Sequence, residues 1–177
     1  MSWIAPRLQE QFAAIGLAPE KIKYLVILHF HFDHCRAVPY LRRKFPHMRI
    51  LASAYTAEIL AKDKVVDSIS LANKHIIDSL GLQCKYDQLN LQFDGIKVGH
   101  VITEKDVIDL GDGIDSHFME VPGHSQCSIA VYVLKLKALF PSDTAPLPVG
   151  GVAQFTSPSP QYNFSLYKES LTEAGQL

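Results

Sequence analysis

A layered α/β sandwich, with helices outside its sheets, is the fold class this sequence predicts, on three observations. The chain has 177 residues, 47% of them apolar, enough for one domain (1–177) with a real core. Its first half reads strand, helix, strand, helix. Its second half changes to short apolar runs punctuated by Gly95, Gly99, Gly111, Gly113 and Gly123, the pattern of mostly antiparallel strands. Strands that bury both faces need helices over them, which favours the sandwich over a bundle or a plain barrel.

The elements follow in order. Pro6–Ile15 carries Leu8, Phe12 and Ile15 near helical spacing, with Gly16 as its stop. Tyr24–Leu28 is a continuous apolar run and reads as a strand covered on both faces. Val38–Phe45 reads as a short helix closed by Pro46, and Met48–Ala52 as a second strand, parallel to the first. Tyr55–Leu80 holds one or two helices and ends at Gly81. Strands are expected at Val107–Leu110, His117–Val121, Ser128–Leu134 and Ala138–Phe140. The proline-rich stretch Pro141–Pro160 reads as loop and Tyr162–Ala174 as a final amphipathic helix.

Charge narrows the function classes. Lys+Arg is 17 and Asp+Glu 18, for a net charge of −1, which does not support nucleic-acid binding through bulk charge. Arg42-Arg43-Lys44 is the densest basic run and reads as a solvated helix face. No apolar run approaches the ~18–20 residues of a membrane span. The start, MSWIAPRLQEQF, lacks the basic segment and apolar core of a signal peptide. Cys35, Cys84 and Cys127 are an odd count without paired spacing, as expected of reduced thiols in a cytoplasmic protein.

Chemistry concentrates in LHFHFDHC, residues 28–35. Along an extended segment side chains alternate, so His29, His31 and Asp33 are expected on one side and Phe30 and Phe32 on the other, in apolar surroundings. His34 needs a turn to come near them. One loop could then offer two imidazoles to one metal and a carboxylate plus an imidazole to another. Desolvating four such residues together is expensive without a cation. The mixture suits Zn²⁺ or Fe rather than a soft thiolate site. Two later segments also place a ligand type just past a strand: His124 in Val121-Pro122-Gly123-His124-Ser125, and Asp143 in Phe140-Pro141-Ser142-Asp143-Thr144.

These segments together resemble the metallo-β-lactamase superfamily over roughly residues 20–150. HFHFDH at 29–34 matches its H-x-H-x-D-H signature, PGHS at 122–125 its third-histidine turn, and FPSD at 140–143 its strand-then-aspartate segment. The resemblance implies an αββα sandwich. It implies that His29, His31 and His124 hold a first metal, that Asp33 and His34 hold a second, and that Asp143 bridges them. The cofactor would be one or two Zn²⁺ ions, with Fe or Mn as alternatives. His47, His75, His100 and His117 match no motif position and are expected to be structural or exposed, and Cys35 and Cys127 to be non-ligands.

The sequence also departs from that pattern. No D-T-G-like segment precedes His29, no histidine follows His124, and Cys35-Arg36-Ala37 stands where a Gly-Gly pair is common. The first two departures suggest a sandwich trimmed at both ends, with an exposed sheet edge through which copies could associate. They also suggest a second metal held less tightly than the first.

The implied chemistry is metal-assisted hydrolysis of a small-molecule substrate. Water activated by the metal is the nucleophile, and Asp33 orients it and passes a proton to the leaving group. DHC followed by VPYL is similar to the branch containing a bacterial quinolone-signal response thioesterase, which points to thioesters, carboxylic esters or lactones. A nuclease would want a basic surface, and flavodiiron relatives carry glutamate where His31 stands. The alternative is a metal-binding but catalytically weak fragment or regulatory relative of the same fold.

Overall fold

A computed structural model describes residues 5–147 and 155–176. The chain divides into two compact units, one comprising residues up to 52 and 56–100, the other 53–55 and the chain from 101 onward.

In the first unit, helix α1 (Ala5–Ala14) precedes strand β1 (Tyr24–Ile27). The one-turn helix α2 (Phe32–Cys35) and helix α3 (Val38–Lys44) then carry the chain to β2 (Arg49–Ser53). β1 and β2 are parallel, in register from Tyr24 opposite Arg49 to Ile27 opposite Ala52. Parallel neighbours require such a crossover. Leucine, valine and isoleucine in β1 had suggested burial on both faces. Instead β1 is, among the described residues, an edge strand whose Tyr24, Leu25 and Val26 are only half-buried, and it stops at Ile27. Central β2, buried at four of its five positions, has the covered faces.

The long helical segment is two helices, α4 (Ala54–Leu60) and α5 (Asp63–Ser79). Ile69, Asn73 and Ile77 recur every four residues on α5 and are its buried stripe. Ile69 joins Ile27, Val38, Ile50, Leu60 and Phe93 in the main core, while Ile77 packs with Tyr40, Tyr86 and Leu91. Tyr86 lies on α6 (Gln83–Gln88), a helix not anticipated from the sequence.

Arg42, Arg43 and Lys44 are exposed in the last turn of α3, as expected of a solvated face, and two of them also make long-range hydrogen bonds. Arg43 donates to the Asn90 carbonyl at 2.7 Å, the Gln92 carbonyl at 3.0 Å and the Asp94 carboxylate at 2.9 Å. Arg42 donates to the Lys97 carbonyl at 3.0 Å. The guanidinium groups thus satisfy backbone acceptors of an irregular segment that forms no sheet ladder. Beyond it Gly99 N–H donates to the Ile50 carbonyl at 2.8 Å, and β3 (His100–Ile102) begins.

The second unit is built on an antiparallel sheet of order β4-β5-β6-β7: Val107–Asp109, Asp115–Glu120, Ile129–Val133 and Ala138–Phe140. Its register pairs His117 with Val107 and with Tyr132. Ser116 and Phe118 are buried on β5, which starts two residues before His117 because pairing continues to Ser116 with β6 and to Asp115 with β4. Helix α7 (Phe164–Ala174) closes the unit, capped by Asn163, whose side-chain oxygen accepts from Leu166 N–H at 3.0 Å. Both β6 and β7 lie where the apolar runs placed them. No helix among the described residues is long and apolar enough to cross a membrane.

Candidate metal centre

Of the six residues singled out as ligands, four lie in the first unit and two in the second. In the first, β1 delivers the chain to Leu28, and the backbone stays extended through His31 (φ −57°, ψ 140°). His29 is wholly buried. Its ring centroid lies 4.7 Å from that of His31 at an interplanar angle of 82°, and 4.2 Å from that of His34 at 48°. Three imidazoles therefore converge where the loop after β1 enters α2.

Asp33 reaches this group differently from the alternation expected. Extended structure ends at His31, and Asp33 sits in the first turn of α2. Its carboxylate lies 3.5 Å from His34 Nε2, with both side chains substantially exposed. The same turn corrects Phe32, which is exposed with the Arg36 guanidinium 5.1 Å from its ring centroid. Phe30 does pack against the core. Burial holds the Arg36 guanidinium below its ordinary pKa. Cys35 is buried with its thiol donating to the Phe30 carbonyl at 3.5 Å, which orients it toward backbone.

In the second unit β5 runs into the turn Val121-Pro122-Gly123-His124. Val121 N–H donates to the Ser128 carbonyl at 2.8 Å, and Gly123 N–H to the Ser125 carbonyl at 3.1 Å. His124 is buried, and its Nδ1 lies 2.7 Å from the Ser159 carbonyl. A carbonyl only accepts, so Nδ1 carries the proton and a neutral His124 presents its lone pair at Nε2. That nitrogen lies 3.4 Å from Asp143 Oδ2. Asp143 sits in the turn after β7, where buried Thr144 donates its hydroxyl to the Val121 carbonyl at 3.1 Å. One hydrogen bond thus fixes the aspartate turn to the histidine turn.

Donor chemistry in both units fits a transition metal. Each offers imidazole beside carboxylate, the hard-to-borderline set that suits Zn²⁺ or Fe. Orienting His124 through a backbone carbonyl is what metal-ligating histidines require. Among the described residues no candidate metal-ligating group includes His47, His75, His100, His117 or any cysteine. Cys127 instead places its sulfur 3.3 Å from the Ser125 hydroxyl. Sequence reasoning missed Ser159 and Thr144. Ser159 acts through its main chain from 35 residues away, which no side-chain pattern announces.

A family profile described as the metallo-beta-lactamase superfamily matches residues 1–177. The chain is 28% identical over 152 residues to the metallo-beta-lactamase fold-containing protein ST1585 of Sulfurisphaera tokodaii, covering 86% of this chain and 55% of that protein. In structure it is similar to the archaeal metallo-beta-lactamase superfamily protein ST1585 of Sulfolobus tokodaii (TM-score 0.61, 22% identity, 85% of this chain and 56% of that one). It is also similar to BJP-1, a subclass B3 metallo-beta-lactamase of Bradyrhizobium japonicum (TM-score 0.62, 18% identity, 100% of this chain and 61% of that one). The chain thus spans little more than half the length of these relatives, and the structural likeness speaks to fold alone.

Proposed function

Because the chain belongs to the metallo-beta-lactamase superfamily, we propose that it is a metal-dependent hydrolase of a small ester, thioester or lactone. The observation that carries this reading is the convergence of the His29, His31 and His34 rings in a motif with the superfamily's H-x-H-x-D-H spacing. As the superfamily motif implies, His29, His31 and His124 would hold one metal, and Asp33 and His34 a second, with Asp143 shared. Zn²⁺ suits that donor set best. Bound metal lowers the pKa of water toward ~7 and so supplies a nucleophile at neutral pH.

The chain's own residues have distinct parts. Asp33 is the carboxylate best able to orient the attacking water and take up its proton, because its exposed position in α2 lets it meet solvent and substrate. His124 is held in one tautomer by Ser159. Neither role needs a serine or cysteine nucleophile, in keeping with the burial of Cys35 and Cys127.

Elemental analysis of the purified chain and of its His29→Ala/His31→Ala variant, with ester and thioester hydrolysis followed before and after chelation, tests the proposal. Bound metal and chelator-sensitive turnover are expected in the parent, and neither in the variant. Metal content equal in the two proteins would defeat the ligand assignment. Metal without turnover would favour the metal-binding, non-hydrolytic alternative.

A further inference from the structure

We propose that helix α7 holds the His124 turn in the form that binds metal, with Ser170 as the positioning residue, so that metal binding and the seating of α7 strengthen one another. This rests on the reading of His124 as a metal ligand.

The turn is held by its main chain. Val121, Pro122 and Gly123 lead into His124, and the carbonyl of each accepts from a residue well downstream. The Val121 carbonyl takes the Thr144 hydroxyl at 3.1 Å, and the Pro122 carbonyl takes the Ser170 hydroxyl at 2.7 Å. The Gly123 carbonyl takes both the Tyr162 and the Asn163 N–H, each at 3.0 Å. The imidazole itself is oriented by the Ser159 carbonyl, 2.7 Å from Nδ1. All of these contacts except that of Thr144 come from residues 159–170, which are the approach to α7 and its first turns.

Ser170 makes the link through its side chain. It is 3% exposed and shares the buried stripe of α7 with Tyr167 and Ala174. A hydroxyl inside a helix commonly returns to the carbonyl four residues back, as Thr172 does by donating to the Lys168 carbonyl at 2.8 Å. Ser170 instead donates out of its helix, to the residue two before His124. Asn163 joins helix and turn as well. Its side chain caps α7 by accepting from Leu166 N–H, while its own N–H goes to Gly123. Forming the first turn of α7 and fixing the histidine turn therefore draw on the same residue.

The coupling runs both ways. Freeing α7 from the turn releases the Pro122 and Gly123 carbonyls and lets the imidazole leave its orientation. A metal that prefers the held turn must, by linkage, favour a seated α7 to the same degree. Losing a direct partner of a ligating histidine weakens metal binding roughly 10- to 100-fold. Ser170 acts one step further away, through main chain, so a loss of about 3- to 10-fold is expected.

Ser170→Ala and Thr172→Ala, which remove hydroxyls from the same helix, are compared with the parent. Zn²⁺ affinity is measured by competition with a chromophoric chelator, and ligand geometry by the visible absorption of bound Co²⁺. Ser170→Ala should bind Zn²⁺ more weakly and alter the Co²⁺ spectrum, and Thr172→Ala should do neither. In the parent, Zn²⁺ should slow hydrogen exchange at the Tyr162 and Asn163 amides. Parent-like affinity and spectrum in Ser170→Ala, the same loss in Thr172→Ala, or exchange at Tyr162 and Asn163 indifferent to Zn²⁺ would overturn the inference. A parent that binds no metal removes the ligand reading and this inference together. A parent that binds metal and shows the Ser170 dependence without hydrolysing esters loses the hydrolase reading alone.

Discussion

Gly123 packs so closely on the backbone of Tyr167 that a β-carbon at position 123 would fall inside the first turn of α7. Its φ of +137° is likewise a value that side chains rarely adopt. The turn that presents His124 and the helix that presents Tyr167 are therefore in direct backbone contact, possible only because residue 123 is glycine.

Gly123→Ala should accordingly destabilise the fold by about 2–4 kcal/mol, combining overpacking with backbone strain. The clash is with main-chain atoms of α7, which cannot step aside as a flexible side chain would. A fall in the urea midpoint at unchanged slope is the expected result. A midpoint within error of the parent would show that α7 does not sit against this turn in solution.

His124 should be found in the tautomer protonated at Nδ1. The Ser159 carbonyl at 2.7 Å can only accept, which leaves Nε2 as the basic nitrogen facing Asp143. Nitrogen-15 NMR of the neutral imidazole distinguishes the two ring nitrogens. In the zinc-loaded protein, a proton resident on Nε2 and not on Nδ1 would contradict the ligand geometry proposed for this residue.

Replacing Asp33 with asparagine keeps the shape of the α2 turn and removes the base. Hydrolysis should fall by roughly 10²–10⁴-fold, the usual worth of a positioned acid–base group. Metal at the site proposed for His29, His31 and His124 should be retained by elemental analysis. Parent-like turnover in Asp33→Asn would move the proton-handling role to another residue.

Stability should fall at alkaline pH through Tyr86. Burial raises its phenol above the ordinary value of 10.0, against a smaller opposing effect from the Asn73 side chain, which donates to its oxygen at 3.3 Å. A folded-state pKa raised above the unfolded one favours the neutral phenol in the native protein. Its contribution is therefore full below about pH 10 and is lost as pH rises through the folded value. Urea unfolding of the parent should weaken between pH 9 and pH 11, about the unfolded tyrosine pKa of ~10, and Tyr86→Phe should weaken less over that window. Parallel curves for the two proteins would assign the alkaline loss elsewhere, Tyr40 being the other phenol raised by burial.

Much of this protein was determined locally, and that part was legible in the sequence. Apolar runs bounded by glycine and proline fixed β6, β7, α3 and the two-helix segment, because each element is chosen by its own side-chain period and its own stop signals. HFHFDH pointed to a cluster of imidazoles at one strand end, and the His29, His31 and His34 rings do converge there. What only the tertiary structure decided depends on residues far apart in the chain. Arg43 reads as surface charge until its contacts with Asn90, Gln92 and Asp94 are seen. β1 reads as covered on both faces until folding leaves Tyr24, Leu25 and Val26 only half-buried. The Ser159 carbonyl, identical in every sequence, becomes the orienter of His124 only when the chain brings it there. Gly123 looks like any turn glycine until α7 lies against it. Side-chain chemistry and periodicity are properties of the sequence, whereas main-chain contacts across long separations carry no residue-type signal and arise only on folding.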